Sequence, residues 1–317
     1  MSKPGNMSKN KNYHYIPFKS RLEFSNLRSF KGNQQFEVPI WKPKETSGHV
    51  LIMLHGFLEG LDSSIEKRER HLLKYDAIAE RLTKEGYTCV LLPLPFHFER
   101  SVDFGSNELV APIDRLTKNG AFLYYGGYTQ VISDVERLIQ AISSKPEQFG
   151  LTDVKIEYHL LGYSLGGVAA MGAALSSKYR FKSLSILLST WNLQNINPEK
   201  IRELFGSKYS FGREEWEKMM NELNQLKELD DVDPLFKYLI WGEGEEVSFE
   251  TMADKVLFLH GLDDELFTRE IVADNNSTVL ESMKKCTFIS IPAGHFILRE
   301  RQLVAGFVSE FILNARG

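Results

Sequence analysis

From residue 49 onward the chain alternates short, nearly unbroken apolar runs with longer segments whose apolar residues recur at helical spacing. HVLIML (49–54), TCVLLPL (88–94), VKIEYHLL (154–161), SLSILLS (183–189), KVLFLHG (255–261) and CTFISIP (286–292) read as strands. Such continuous apolarity marks strands buried on both faces, as in a parallel sheet covered by helices. Between them, helices are predicted at about 63–84, 128–142, 165–177, 268–284 and 297–313, with a long loop after Pro95. Two more strand candidates, RLEFSNLRSF (21–30) and QQFEVPIW (34–41), have no helix between them and meet across Lys31-Gly32-Asn33. That is a hairpin signal. The pattern predicts an α/β fold: a mostly parallel central sheet, helices on both faces, and an antiparallel N-terminal edge. Residues 1–18 are expected to be a flexible arm, and 19–317 one domain.

One stretch breaks the rhythm. The insertion at about 190–254 carries Trp216, Met219, Met220, Leu223, Leu226 and Leu229 at helical spacing on a charged background. It is predicted to be a helical lid over a pocket; the alternative is an amphipathic helix packed on the core. Its Glu214, Glu215 and Glu217 suit a solvated face as well as a partner surface.

Composition removes several classes of function. A net charge of −4 gives no basic footprint for nucleic acid. Cys89 and Cys286 lie in or beside apolar runs and do not cluster, so buried reduced thiols are expected rather than a metal site or a disulfide framework. The first twenty residues contain no apolar segment of the secretory kind, and GGVAAMGAAL (166–175) is too short to span a bilayer. A cytoplasmic location and no membrane span are the expectations. The sequence leaves the oligomeric state open.

The chemistry begins at Gly162-Tyr163-Ser164-Leu165-Gly166-Gly167, between a predicted strand and a predicted helix. A nucleophile elbow needs that setting, because small flanking residues let the backbone turn sharply and lift the hydroxyl clear of the sheet. A serine hydroxyl is a weak nucleophile until a base takes its proton, and a third group must orient that base. An acid and then a histidine should therefore follow. His-Gly-Leu-Asp-Asp-Glu (260–265) comes directly after one strand, and Ala293-Gly294-His295 after the next. His295 is the one histidine beyond that acidic pair, of which either Asp263 or Asp264 could face it. Acyl transfer also needs two backbone N–H groups for the oxyanion. Leu165 should supply one, and Phe57, in the loop His55-Gly56-Phe57-Leu58, the other. His55 is expected to hold that loop.

Together LIMLHGF (51–57), GYSLGG (162–167), VLFLHGLDDE (256–265) and AGHF (293–296) resemble the α/β-hydrolase family, in its expected order from about residue 50 to the end. The resemblance implies a parallel-sheet core, a Ser-His-Asp triad of Ser164, His295 and an aspartate, and no cofactor. It also implies a lid where the 190–254 insertion lies. It favours Asp264 over Asp263, since the family's acid usually sits three residues after the glycine.

Two departures stand out. Leu92 to Arg100 replaces a short glycine-rich loop with a longer aromatic one, in which His97 and Arg100 could meet a substrate carboxylate or simply hold the loop. No run of glycines follows His55-Gly56, which disfavours the lipase subgroup with that motif.

The expected function is a serine esterase acting on a small-molecule acyl substrate. Thioester, amide or peptide cleavage and acyl transfer are the alternatives with the same triad. A non-catalytic binding role would predict a broken triad, and a dehalogenase an aspartate in place of Ser164.

Overall fold

A computed structural model describes residues 13–20, 35–56, 65–95, 112–191, 232–243, 249–282 and 285–316, with isolated positions between 199 and 228 and at 247. Among them runs one eight-stranded sheet in the order β1-β2-β4-β3-β5-β6-β7-β8. The strands are β1 (His14–Lys19), β2 (Gln35–Trp41), β3 (His49–Leu54), β4 (Thr88–Leu92), β5 (Glu157–Tyr163), β6 (Phe181–Leu187), β7 (Ala253–Gly261) and β8 (Cys286–Ile291). β2 runs antiparallel to both β1 and β4, and every other pairing is parallel. The mostly parallel sheet with an antiparallel N-terminal edge is therefore as expected.

The members of that edge differ from the expectation. The partner of β2 is His14–Lys19, most of which the sequence pattern places in a flexible arm, and 21–30 lies outside the described residues. In HYIPFK, Phe18 is buried against Phe36 of β2, with ring centroids 5.2 Å apart. Pro17 reads as a breaker in sequence, yet an edge strand tolerates proline.

Helices cover both faces. Those described from end to end are α1 (Ile65–Lys84), α2 (Pro112–Ser144), α3 (Leu165–Ser176), α4 (Pro234–Trp241), α5 (Arg269–Ser282) and α6 (Arg301–Leu313). The alternation of strand side chains splits β3 cleanly. Val50, Ile52 and Leu54 join the core under α2 and α3, while Leu51 and Met53 join the core under α1 and α6. Burying each such side chain contributes roughly 1.5–3 kcal/mol, so both faces anchor the strands whose ends carry the site.

α2 begins at Pro112, well before the expected 128. Proline is pre-organised for a helix's first turn, whereas Gly120, Gly126 and Gly127 inside the helix lower its propensity and hide it from a pattern reading. Part of the expected lid is also core. Within α4, Phe236 and Leu239 are fully buried, and Tyr238 stacks on Trp191 at 5.0 Å and 11°. Trp191 and Asn275 lock this corner through Trp191 Nε1–H to Asn275 O at 2.8 Å and Asn275 Nδ2–H to Trp191 O at 2.6 Å. The apolar stripe from Trp216 to Leu229 lies outside the described residues, although Glu214, Glu217, Asn221 and Asn224 are helical and exposed.

Candidate active site

Ser164 alone makes the turn between β5, which ends at Tyr163, and α3, which starts at Leu165. Its backbone stands at φ 52°, ψ −122°, a sparsely populated conformation that costs of order 1–3 kcal/mol. The turn is pinned by Ser164 N–H to Leu187 O at 2.9 Å and Gly167 N–H to Ser164 O at 2.8 Å. Crowding dictates the flanking glycines. A Cβ on Gly162 would stand 2.2 Å from Gly166 O, and one on Gly166 would stand 2.4 Å from His55 O. Both obstacles are backbone atoms, which cannot swing aside.

The loops after β7 and β8 bring two more groups to this end of the sheet. Ser164 Oγ lies 2.9 Å from His295 Nε2, and His295 Nδ1 lies 3.0 Å from Asp264 Oδ2. An ionised carboxylate only accepts, so Nδ1 carries the ring proton and Nε2 turns its lone pair to the serine hydroxyl. Asp264 Oδ1 accepts the N–H groups of Leu266 at 2.9 Å and Phe267 at 3.0 Å, which fixes the carboxylate in turn. Asp263 is exposed and donates its backbone N–H to Ala293 O, so of the two aspartates Asp264 faces the histidine. Ser164, Asp264 and His295 are all buried, with 8%, 5% and 5% of their surface exposed.

Leu165 is the first residue of α3. Its amide has no acceptor within the helix and lies at the positive end of the helix dipole, beside Ser164. Phe57, the other expected oxyanion donor, lies outside the described residues, as do His97 and Arg100. His55 is fully buried and joins two loops at the C-terminal edge of the sheet: Leu94 N–H donates to its Nε2 at 2.8 Å, and its Nδ1 meets Gly56 O at 2.8 Å.

Three side chains near the triad carried no sequence signal. The Tyr163 hydroxyl donates to the backbone carbonyl of His295, and Lys74 sits over the Tyr163 ring. His260, at the end of β7, is buried, and neither ring nitrogen has a hydrogen-bond partner among the described residues. Burial holds this imidazole below its ordinary value, against the pull of the Asp264 carboxylate. Among the described residues no group of three or more His, Cys, Asp or Glu is placed to hold a metal ion. Cys89 is buried and Cys286 half-buried, both as free thiols, and burial pushes the Cys286 thiol up to about 12. No helix among the described residues is long and apolar enough to cross a membrane.

No protein-family model matches the sequence, and no curated protein matches it. Solved structures match nearly the whole chain. An esterase from Pyrococcus furiosus is 12% identical, with 96% of this chain and 92% of that chain covered and a TM-score of 0.56. An α/β serine hydrolase without lid from Xanthomonas campestris is 12% identical, with 98% and 97% covered and a TM-score of 0.51. The chain has the α/β-hydrolase fold. A third such structure, the acylaminoacyl peptidase of Pyrococcus horikoshii, is 14% identical with a TM-score of 0.56, but the match covers 96% of this chain and only 42% of the peptidase. At these identities the likeness is one of fold, and function has to be argued from the site. In this α/β-hydrolase fold, Ser164, Asp264 and His295 all follow C-terminal strand ends, those of β5, β7 and β8.

Proposed function

We propose that the protein is a serine hydrolase that cleaves a carboxylic ester of a small molecule through an acyl-enzyme on Ser164. One observation carries this reading: the unbroken relay from Ser164 Oγ through His295 to Asp264, at 2.9 and 3.0 Å, starting from a strained elbow. In this mechanism His295 Nε2 takes the hydroxyl proton as Oγ attacks the ester carbonyl. Asp264 keeps the ring in the productive tautomer and stabilises the imidazolium that forms. The tetrahedral oxyanion is met by the N–H groups of Leu165 and Phe57, each worth about 2.7–4 kcal/mol in such sites. His295 then gives its proton to the leaving alkoxide, and a water activated by the same nitrogen releases the acid.

Strain at Ser164 fits the role. A hydroxyl held above the sheet in a costly backbone conformation spends no further energy reaching the substrate. A lid over Ser164, formed by the part of the 190–254 insertion ahead of α4, belongs to the same proposal.

The test is labelling by a fluorophosphonate probe together with turnover of p-nitrophenyl acetate and butyrate, in the native protein and in Ser164→Ala. Labelling and turnover by the native protein alone are expected. A folded native protein that does neither would overturn the reading. Faster turnover of a thioester or an anilide than of the matched ester would move the substrate class and keep the triad.

A further inference from the structure

Lys74, on α1, is 8% exposed, and its Nζ stands 3.5 Å from the centroid of the Tyr163 ring. A lysine is almost never so buried without compensation. Here the compensation includes the negative face of an aromatic ring, an attraction that strengthens where water is excluded. On the same ring, the Tyr163 hydroxyl donates to the backbone carbonyl of His295, and the Tyr163 and His295 rings stack at 5.9 Å and 29°. Phe267 and Phe296 flank the imidazole at 5.6 and 5.5 Å. Hence a cation on α1, a ring at the end of β5 and the carbonyl of the loop after β8 form one continuous line of contacts.

We propose that Lys74 and Tyr163 act as a strut that positions His295 for proton transfer, an inference that rests on reading Ser164 and His295 as nucleophile and base. Tyr163 is covalently adjacent to Ser164. By holding the His295 carbonyl it joins the nucleophile's backbone to the base's backbone, so the gap between Oγ and Nε2 is set by one rigid ring. The cation over the ring face withdraws electron density from the phenol and strengthens its O–H as a donor. Both are positioning residues, since neither touches the reacting atoms.

Tyr163→Phe removes only the hydroxyl and keeps the ring under Lys74 and against His295. It is expected to lower kcat about tenfold or more, because small misplacements of a catalytic group are costly, with KM within about twofold and Tm nearly unchanged. A readout independent of turnover accompanies it: the downfield proton resonance of His295 Nδ1–H, held by Asp264, should broaden or vanish in Tyr163→Phe. Lys74→Met should lower kcat less, by about threefold, and Lys74→Arg should restore it. Unchanged kcat and an unchanged resonance in Tyr163→Phe would overturn the strut. So would a kcat loss matched by a fall in Tm, with Lys74→Arg no better than Lys74→Met, because that pattern is packing alone. Should Lys74→Met fail to fold, Tyr163→Phe decides. If the wild type itself turns over no ester, the hydrolase reading falls, and the resonance still decides whether Tyr163 holds His295.

Discussion

The two ends of the sheet each hold a serine in hydrogen-bonding reach of a histidine, in different settings. At the C-terminal end Ser164, His295 and Asp264 are linked at 2.9 and 3.0 Å. At the N-terminal end Ser183 Oγ lies 2.8 Å from His159 Nδ1, His159 Nε2 lies 3.1 Å from His49 Nδ1, and Glu157 lies 3.8 Å from that same nitrogen. By distance alone both look like relays. Ser183, however, lies within β6, hydrogen-bonded into the sheet on both sides and fully buried, while Ser164 alone occupies a strained turn at a helix start. His159 is oriented by another imidazole instead of a carboxylate. Burial first, and then His49, push it down to about 3, which leaves it neutral. A serine–histidine contact activates a nucleophile only with an acid behind the base and N–H groups ahead of the hydroxyl. The N-terminal cluster has the contact and lacks the setting.

The sharpest way to break this comparison is to remove each serine in turn. Ser164→Ala is expected to lower kcat by about 10⁶, and Ser183→Ala to leave it within about twofold. Equal losses on ester turnover would mean that the strained turn is not what separates the two ends. Next come the aspartates, which separate two neighbours on one loop. Asp264→Asn keeps the shape but favours the wrong tautomer of His295, so kcat should fall about 10⁴-fold. Asp263→Asn, exposed and turned from the ring, should stay within about twofold. A large loss at Asp263 would reassign the orienting acid.

How much of this was legible in the sequence follows from what each feature depends on. The elbow could be read because its physics is local: strand, glycine, serine, glycine and helix lie within a few residues, and crowding against Leu54 and His55 enforces Gly166. The order of Asp264 and His295 could be read because each follows an apolar run that ends at the same edge of the sheet. β1 could not, since Pro17 signals a break and only the pairing with β2 explains His14–Lys19. The first half of α2 was hidden by its interior glycines, and α4 by lying in a stretch whose periodicity also suits a lid. Lys74 over Tyr163, and His159 between His49 and Ser183, are contacts between residues far apart in the chain, which no local pattern announces.

The smallest expected effect concerns the N-terminal cluster by itself. His159 stays neutral in the fold to about pH 3 but binds a proton near pH 6.5 once unfolded. Its folded value is depressed, so its contribution to stability is fully present above pH 6.5 and is lost as pH falls towards 3. The slope approaches about 1.4 kcal/mol per pH unit below pH 6. His49 shifts in the same direction, with burial lowering it most, Arg316 and Lys182 adding to that, and Glu157 opposing. Tyr87, stacked on His49 at 4.9 Å with Arg316 on its ring at 4.6 Å, keeps that cation close to the pair. His159→Gln retains a hydrogen bond for Ser183 and cannot titrate. Urea unfolding at pH 7 and pH 5 should therefore show a smaller loss of stability on acidification in His159→Gln than in the wild type, by about 1–2 kcal/mol. An unchanged loss would place the acid sensitivity elsewhere. The variant's ester turnover at pH 7 should match the wild type, because this cluster and the triad share a strand and nothing of the chemistry.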